Sequence, residues 1–253
     1  MQLLLPPSET KHPGGDGAPL DLGALRLPGL RPQREALLDA LVALSGDEAA
    51  AMRVLKLSER QRPEIRVNAA IRQAATMPAM DRYTGVLFDA LAAETLPTQA
   101  RGWLAEHALI QTAPLGPIGA ADPIPSYRLA AGTALPGVPP LRRHWADATS
   151  AALADDPAVR SELVLDLRSQ AYVALAPLPS GITSAYVHVV TRGADGHQRA
   201  LNHFNKKAKG EFVRALALDP PPRDATLAAV VDWGRAHGQE LVIDGEARVN
   251  LVV

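Results

Sequence analysis

The residues whose types and spacing best suit chemistry are Lys206, Lys207 and Lys209, three of only five lysines in the chain, gathered within four positions. A strand-like run ends near His203, Asn205 is a favoured N-cap type, and helical periodicity follows, so the lysines are predicted to occupy a helix's first turn. Cations are poorly placed there, because unpaired N–H groups and the macrodipole already make a helix N-terminus positive. Each exposed like charge costs roughly a few tenths of a kcal/mol, and a bound anion turns that cost into affinity. On a helical wheel Ala208, Phe212, Ala215 and Leu216 share one face, while Lys206, Lys207, Gly210 and Arg214 share the opposite one. Gly210 would let a ligand approach the backbone beside the ammonium groups. The competing reading is a solvated basic turn balanced by Glu211.

Further anion-compatible groups fall at predicted strand ends. Ser8-Glu9-Thr10-Lys11 opens a polar, Gly-rich loop after the apolar Leu3-Leu4-Leu5. Its backbone N–H groups, with Ser8 and Lys11, suit an anion, although the loop matches neither a P-loop nor a dinucleotide fingerprint, and a flexible connection fits the same residues. Pro114, Pro117, Pro123 and Pro125 predict an irregular loop over 114–129, ending in Tyr127-Arg128. Such a loop is suited to presenting side chains, with Asp122 as an anchor and Arg128 reaching a ligand or an internal carboxylate. Arg168 follows a predicted central strand at 162–167, at the carboxyl edge where ligands bind in open α/β sheets. Ser8, Lys11, Tyr127, Arg128, Arg168, Lys206, Lys207, Lys209 and Arg214 together form a candidate DNA- or anion-binding set, expected to line one cleft.

Other chemistries find less support. Without cysteine, disulfides, thiolate metal sites and thiol redox sensing are excluded. The seven histidines show no HxxxH or HxH pattern, so no metal site and no cofactor are expected. Ser8, Ser169, His203 and Asp166 supply no recognisable nucleophile, base and orienting group, and no catalytic residue is assigned. With 26 basic and 27 acidic residues, a broad polyanion-coating surface is excluded and any such site must be local. No segment has 18 uninterrupted apolar residues and the N-terminal apolar run is too short for a signal peptide, so a cytoplasmic monomer with no membrane contact is expected.

The elements that must position these groups follow from periodicity. Helices are predicted over 31–44, 47–57, 63–75, 97–107, 140–153 and 224–237. Strands are expected at 3–5, 108–113 and 162–167, with a hairpin of 185–192 and 198–203 turning at Gly193-Ala194-Asp195-Gly196, and a second over 240–253 turning at Asp244-Gly245. The alternation implies an α/β (α+β mixed) fold: one domain over 1–253 with a mixed central sheet, surrounding helices and a helical subdomain at about 31–76. Tyr83-Thr84-Gly85-Val86 places two aromatics, Tyr83 and Phe88, around a glycine, which reads as a core-packed turn.

An ordered series of motifs runs through these elements: Leu-Pro-Pro-Ser-Glu-x-Lys at 5–11, Tyr-Thr-Gly-Val-x-x-Asp-Ala-Leu at 83–91, Asp-x-Ile-Pro-x-Tyr-Arg-Leu at 122–129, Asp-Leu-Arg-Ser-x-x-Tyr at 166–172 and Lys-x-x-Lys-Gly-x-x-x-Arg at 206–214. The series resembles the YaaA family of peroxide-stress proteins, in its actinobacterial form, over almost the whole chain. The resemblance implies a role in limiting free iron and oxidative DNA damage under peroxide stress, with DNA bound through a basic cleft; no defined reaction comes with it. It also marks Tyr83, Gly85, Asp122, Tyr172 and Gly210 as motif positions. Two readings of the basic set stay open: a DNA-backbone cleft, or a pocket for a nucleotide or another small phosphorylated ligand on which an enzyme would act. An interaction surface for protein carboxylates is a third class.

Overall fold

The computed structural model describes residues 1–192, 198–200 and 205–253, with backbone alone at 192 and 198–200. The chain opens with β1 (Gln2–Leu5) and the short β2 (Gly17–Pro19), followed by helices α1 (Arg31–Ser45), α2 (Glu48–Val54) and α3 (Glu64–Ala69). Next come β3 (Ala75–Pro78), α4 (Ala79–Arg82), α5 (Val86–Leu91) and α6 (Thr98–His107), then β4 (Ala108–Thr112), β5 (Gly116–Gly119) and β6 (Pro123–Ile124). The second half runs α7 (Leu141–Asp155), α8 (Pro157–Ser161), β7 (Val164–Asp166), α9 (Gln170–Leu175), β8 (Ser184–Arg192), β9 (Gln198–Ala200), α10 (Asn205–Leu218), α11 (Leu227–Ala236), β10 (Glu240–Ile243) and β11 (Arg248–Val252). The turn expected at 193–196 and the residues around His203 lie outside the described residues.

The central sheet has the order β10-β11-β8-β7-β1-β4-β5, with β9 pairing β8. Strands β4, β1, β7, β8 and β11 are parallel, and β5, β9 and β10 run antiparallel to their neighbours. Parallel strands covered on both faces need apolar side chains in both directions, and Leu3, Leu4 and Leu5 are all buried accordingly. β1 pairs β4 on one side and β7 on the other, so the order of connection reverses there; crevices outside the carboxyl ends of such strands are where α/β folds place ligands. This is the α/β fold with a mixed sheet that the periodicity implied.

β8 alternates. Ala185, Val187 and Val189 are buried in the core, while Tyr186 and His188 point from the other face. α10 buries Ala208, Phe212, Val213 and Leu216 and lies against α5.

Two expectations need correction. The 114–129 stretch is not irregular throughout: Gly116–Gly119 pairs with β4, and Pro123–Ile124 pairs with β3. Pro117 is tolerated because β5 is an edge strand, where one missing N–H breaks no ladder. Nor does the stretch present its side chains, for Leu115, Ile118 and Ile124 are fully buried. The helix expected over 63–75 ends at Ala69, since pairing of Thr76 with Gly17 and of Met77 with Ile124 draws the chain into a three-stranded sheet. The Arg82 guanidinium fastens this corner by donating to the Ala75, His12 and Ile124 carbonyls.

Candidate functional site

A cleft of about 520 Å³ opens at the carboxyl ends of β1 and β7. Pro6, Pro7 and Glu9 after β1 form one wall, Ser169, Gln170 and Tyr172 after β7 a second, and Tyr186 and His188 of β8 the floor. Asn205, Lys206 and Lys209 of α10 close it. A neighbouring cavity of about 540 Å³ is lined by Asp166, Asp244 and Glu246 against the cation Arg248, which is paired with Asp244.

The two cleft lysines differ. Lys206 is exposed and has no ion-pair partner among the described residues. Lys209 is buried, donates from Nζ to the Leu167 carbonyl at 2.9 Å and stands 5.2 Å from the centre of the Tyr186 ring. Burial pulls its ammonium down to about 8, against the raising influence of Asp166. Burial likewise pushes the Tyr172 phenol up to about 12, with Glu9 adding in the same direction.

Lys11 stands behind the Glu9 wall. Its Nζ donates to the Ser8 and Glu9 carbonyls and lies 4.0 Å from the Tyr127 ring centre and 5.4 Å from that of Tyr83. Desolvation lowers this ammonium to about 7. The Tyr83 and Tyr127 hydroxyls share a 2.7 Å hydrogen bond, and burial raises both phenols. Gly85 adopts φ 95°, and a Cβ there would lie 3.0 Å from the Ser8 hydroxyl, so the glycine admits the Ser8 turn. Arg128 borders the same region through its 3.1 Å contact with Glu9.

Of the sequence-predicted residues, then, Lys206, Lys209 and Tyr172 line the cleft, Lys11 and Arg128 hold Glu9 beside Ser8, and Tyr127 packs against the Lys11 ammonium. The others point elsewhere. Arg168 is fully buried, with Nε and Nη2 on the Asp166 carboxylate and Nη1 on the Ala176 carbonyl, so each of its three nitrogens donates within the fold. Lys207 pairs with Glu211 outside the cleft. Arg214 caps α5 by donating to the Leu91 and Ala92 carbonyls. Gly210 is not on a free face: a Cβ there would sit 2.2 Å from the Leu87 carbonyl oxygen, so the glycine exists to bring α10 onto α5. Asp122 anchors its loop as expected, accepting from the Gly119 and Arg26 N–H groups.

Sequence reasoning missed Glu9, Tyr186 and His188. The signal was present for the last two, since i, i+2 spacing in a strand puts them on one face.

Comparison with known proteins agrees with the motif series. The family model described as peroxide stress protein YaaA matches residues 1–231. A UPF0246 protein of Corynebacterium efficiens is 45% identical over 249 residues, covering 96% of each chain. A UPF0246 protein of Streptomyces coelicolor is 43% identical over 249 residues, covering 98% of this chain and 94% of its own. A more distant one from Limosilactobacillus fermentum is 27% identical over 184 residues, with 72% and 73% covered. With the model matched across the strands and the helix that build the cleft, the chain belongs to the YaaA family of peroxide-stress proteins.

Proposed function

We propose that the protein serves the peroxide-stress response by holding the phosphate of a nucleotide-sized ligand in the cleft between the β1 and β7 loops and α10. The observation that carries this reading is the pairing of Lys206 and Lys209 on one wall of a bounded, about 520 Å³ cleft at the carboxyl edge of the sheet. The exposed Lys206 ammonium beside first-turn N–H groups suits phosphoryl oxygens, with Lys209 in the wall behind it, and aromatic Tyr172 and Tyr186 offer ring surface to a base. Through that ligand the protein would help limit iron-dependent oxidative damage.

DNA backbone is the second reading, favoured by the exposed, adjacent Lys206 and Lys207. It is weaker because Arg128, Arg168 and Arg214 are each engaged within the fold. A salt series separates the two. DNA held by Lys206 and Lys209 alone gives a log K against log salt slope of roughly −2, and each further phosphate contact steepens it by about one. Saturable thermal stabilisation by AMP, with no detectable duplex binding, supports the nucleotide reading. Duplex binding with a slope steeper than about −4 and no nucleotide effect overturns it.

A further inference from the structure

We propose that Lys209 is an imine-forming amine, and that the ligand class of the cleft includes phosphorylated aldehydes or ketones whose phosphate is held at Lys206; this rests on the cleft reading above. Lys209 lines the cleft although its residue is only 4% exposed, and its Nζ donates to the carbonyl of Leu167, which lines the cleft as well. Among the described residues no carboxylate lies in salt-bridge contact with it, and the Asp166 carboxylate is taken by Arg168. A desolvated lysine in a largely apolar wall is a setting in which an amine is found unprotonated and nucleophilic near neutral pH. Lys206, three residues away on the same helix, lines the same cleft and is exposed to a phosphate there. The lowered ammonium of Lys209 agrees with this placement.

Lys11 is also desolvated, but its Nζ is enclosed by two carbonyls and two rings and does not line the cleft. The titratable groups around Lys209 are Asp166 at the β7 end, Tyr186 and His188 from β8, Glu9 and Tyr172 across the cleft, and Lys206 from its own helix. In the step itself the Nζ lone pair adds to the carbonyl carbon. The carbon–oxygen bond then breaks, and both amine hydrogens depart with the oxygen as water, leaving a carbon–nitrogen double bond. No oxidant or reductant enters.

Five lysines make the test direct. The whole protein is treated with limiting pyridoxal 5′-phosphate, or with pyridoxal, then with borohydride, and the adducts are mapped by mass spectrometry. The expected result is at least tenfold preference for Lys209 over Lys11, Lys56, Lys206 and Lys207. Half-maximal labelling should fall near pH 8, and a Lys206→Gln variant should need more of the phosphorylated probe but no more pyridoxal. Lys209→Met should abolish the dominant adduct; the wild-type map stands if that variant does not fold. Adducts spread over exposed Lys56 and Lys207, or concentrated on Lys11, overturn the proposal. Equal labelling by the two probes, unaffected by Lys206→Gln, overturns its phosphate half, and AMP stabilisation measured separately shows whether the cleft reading fails with it.

Discussion

Replacing Gly210 by alanine distinguishes a glycine that opens backbone to a ligand from one that seats two helices. An alanine Cβ would lie 2.2 Å from the Leu87 carbonyl oxygen and 2.8 Å from the Ala90 Cβ. An ordinary carbon–oxygen contact is about 3.3 Å, so α10 must retreat from α5 by about 1 Å. Leu87 presents a backbone atom that cannot rotate away, which puts the cost toward the upper end of overpacking, about 3 kcal/mol. Alanine recovers roughly 1 kcal/mol of helix propensity. The net loss is about 2 kcal/mol, or a melting temperature lowered by roughly 4–8 °C for a chain of this size. Scanning calorimetry with a parallel urea titration reads it. An unchanged or higher melting temperature, as for a glycine on an exposed helix face, would refute the packing.

Three further outcomes follow from the same geometry. Asp166→Asn should destabilise by about 3–5 kcal/mol in urea unfolding, because it leaves the Arg168 guanidinium buried without its counter-charge, and replacing both residues by apolar ones should recover most of the loss. Tyr83→Phe should cost about 0.5–1.5 kcal/mol by removing one hydrogen bond of the buried Tyr127 hydroxyl, which keeps Thr112 as a second partner, and the double phenylalanine variant should cost less than the sum of the singles. Burial holds the Lys209 ammonium at about 8 against 10.5 unfolded, so its penalty is full below pH 8 and fades as pH rises to about 10.5. Wild type should therefore gain up to about 3 kcal/mol over Lys209→Met across that window, and parallel stability profiles would contradict the burial.

Much of the fold was legible because it rests on patterns that residue type alone encodes. The apolar run of β1 and the Asp244-Gly245 hairpin joining β10 to β11 fall where periodicity and turn chemistry put them. Lys206, Lys209 and Tyr172 meet in the cleft because they sit near the starts of α10 and α9, the latter following β7. What failed was the fate of Arg168 and Arg214, and Arg34 and Arg82 gave no signal at all. Arg34, Arg82, Arg168 and Arg214 donate to carbonyls of Leu115, Ile124, Ala176 and Leu91, and a carbonyl acceptor carries no residue identity to read. The helical wheel failed at Gly210 for a related reason. It assumes one buried face, whereas α10 is packed by α5 on one side and by α6 and the sheet on others.

The central claim, that ligand binds between the β1 and β7 loops and α10, is tested most directly by an amide chemical-shift map during AMP titration. The account predicts saturable shifts concentrated at Glu9, Ser169, Gln170, Tyr172, Asn205, Lys206 and Lys209, largely lost in Lys206→Gln and retained in Lys207→Gln. Saturable shifts that leave these residues unmoved and gather on another face, or that survive Lys206→Gln unchanged, would contradict it.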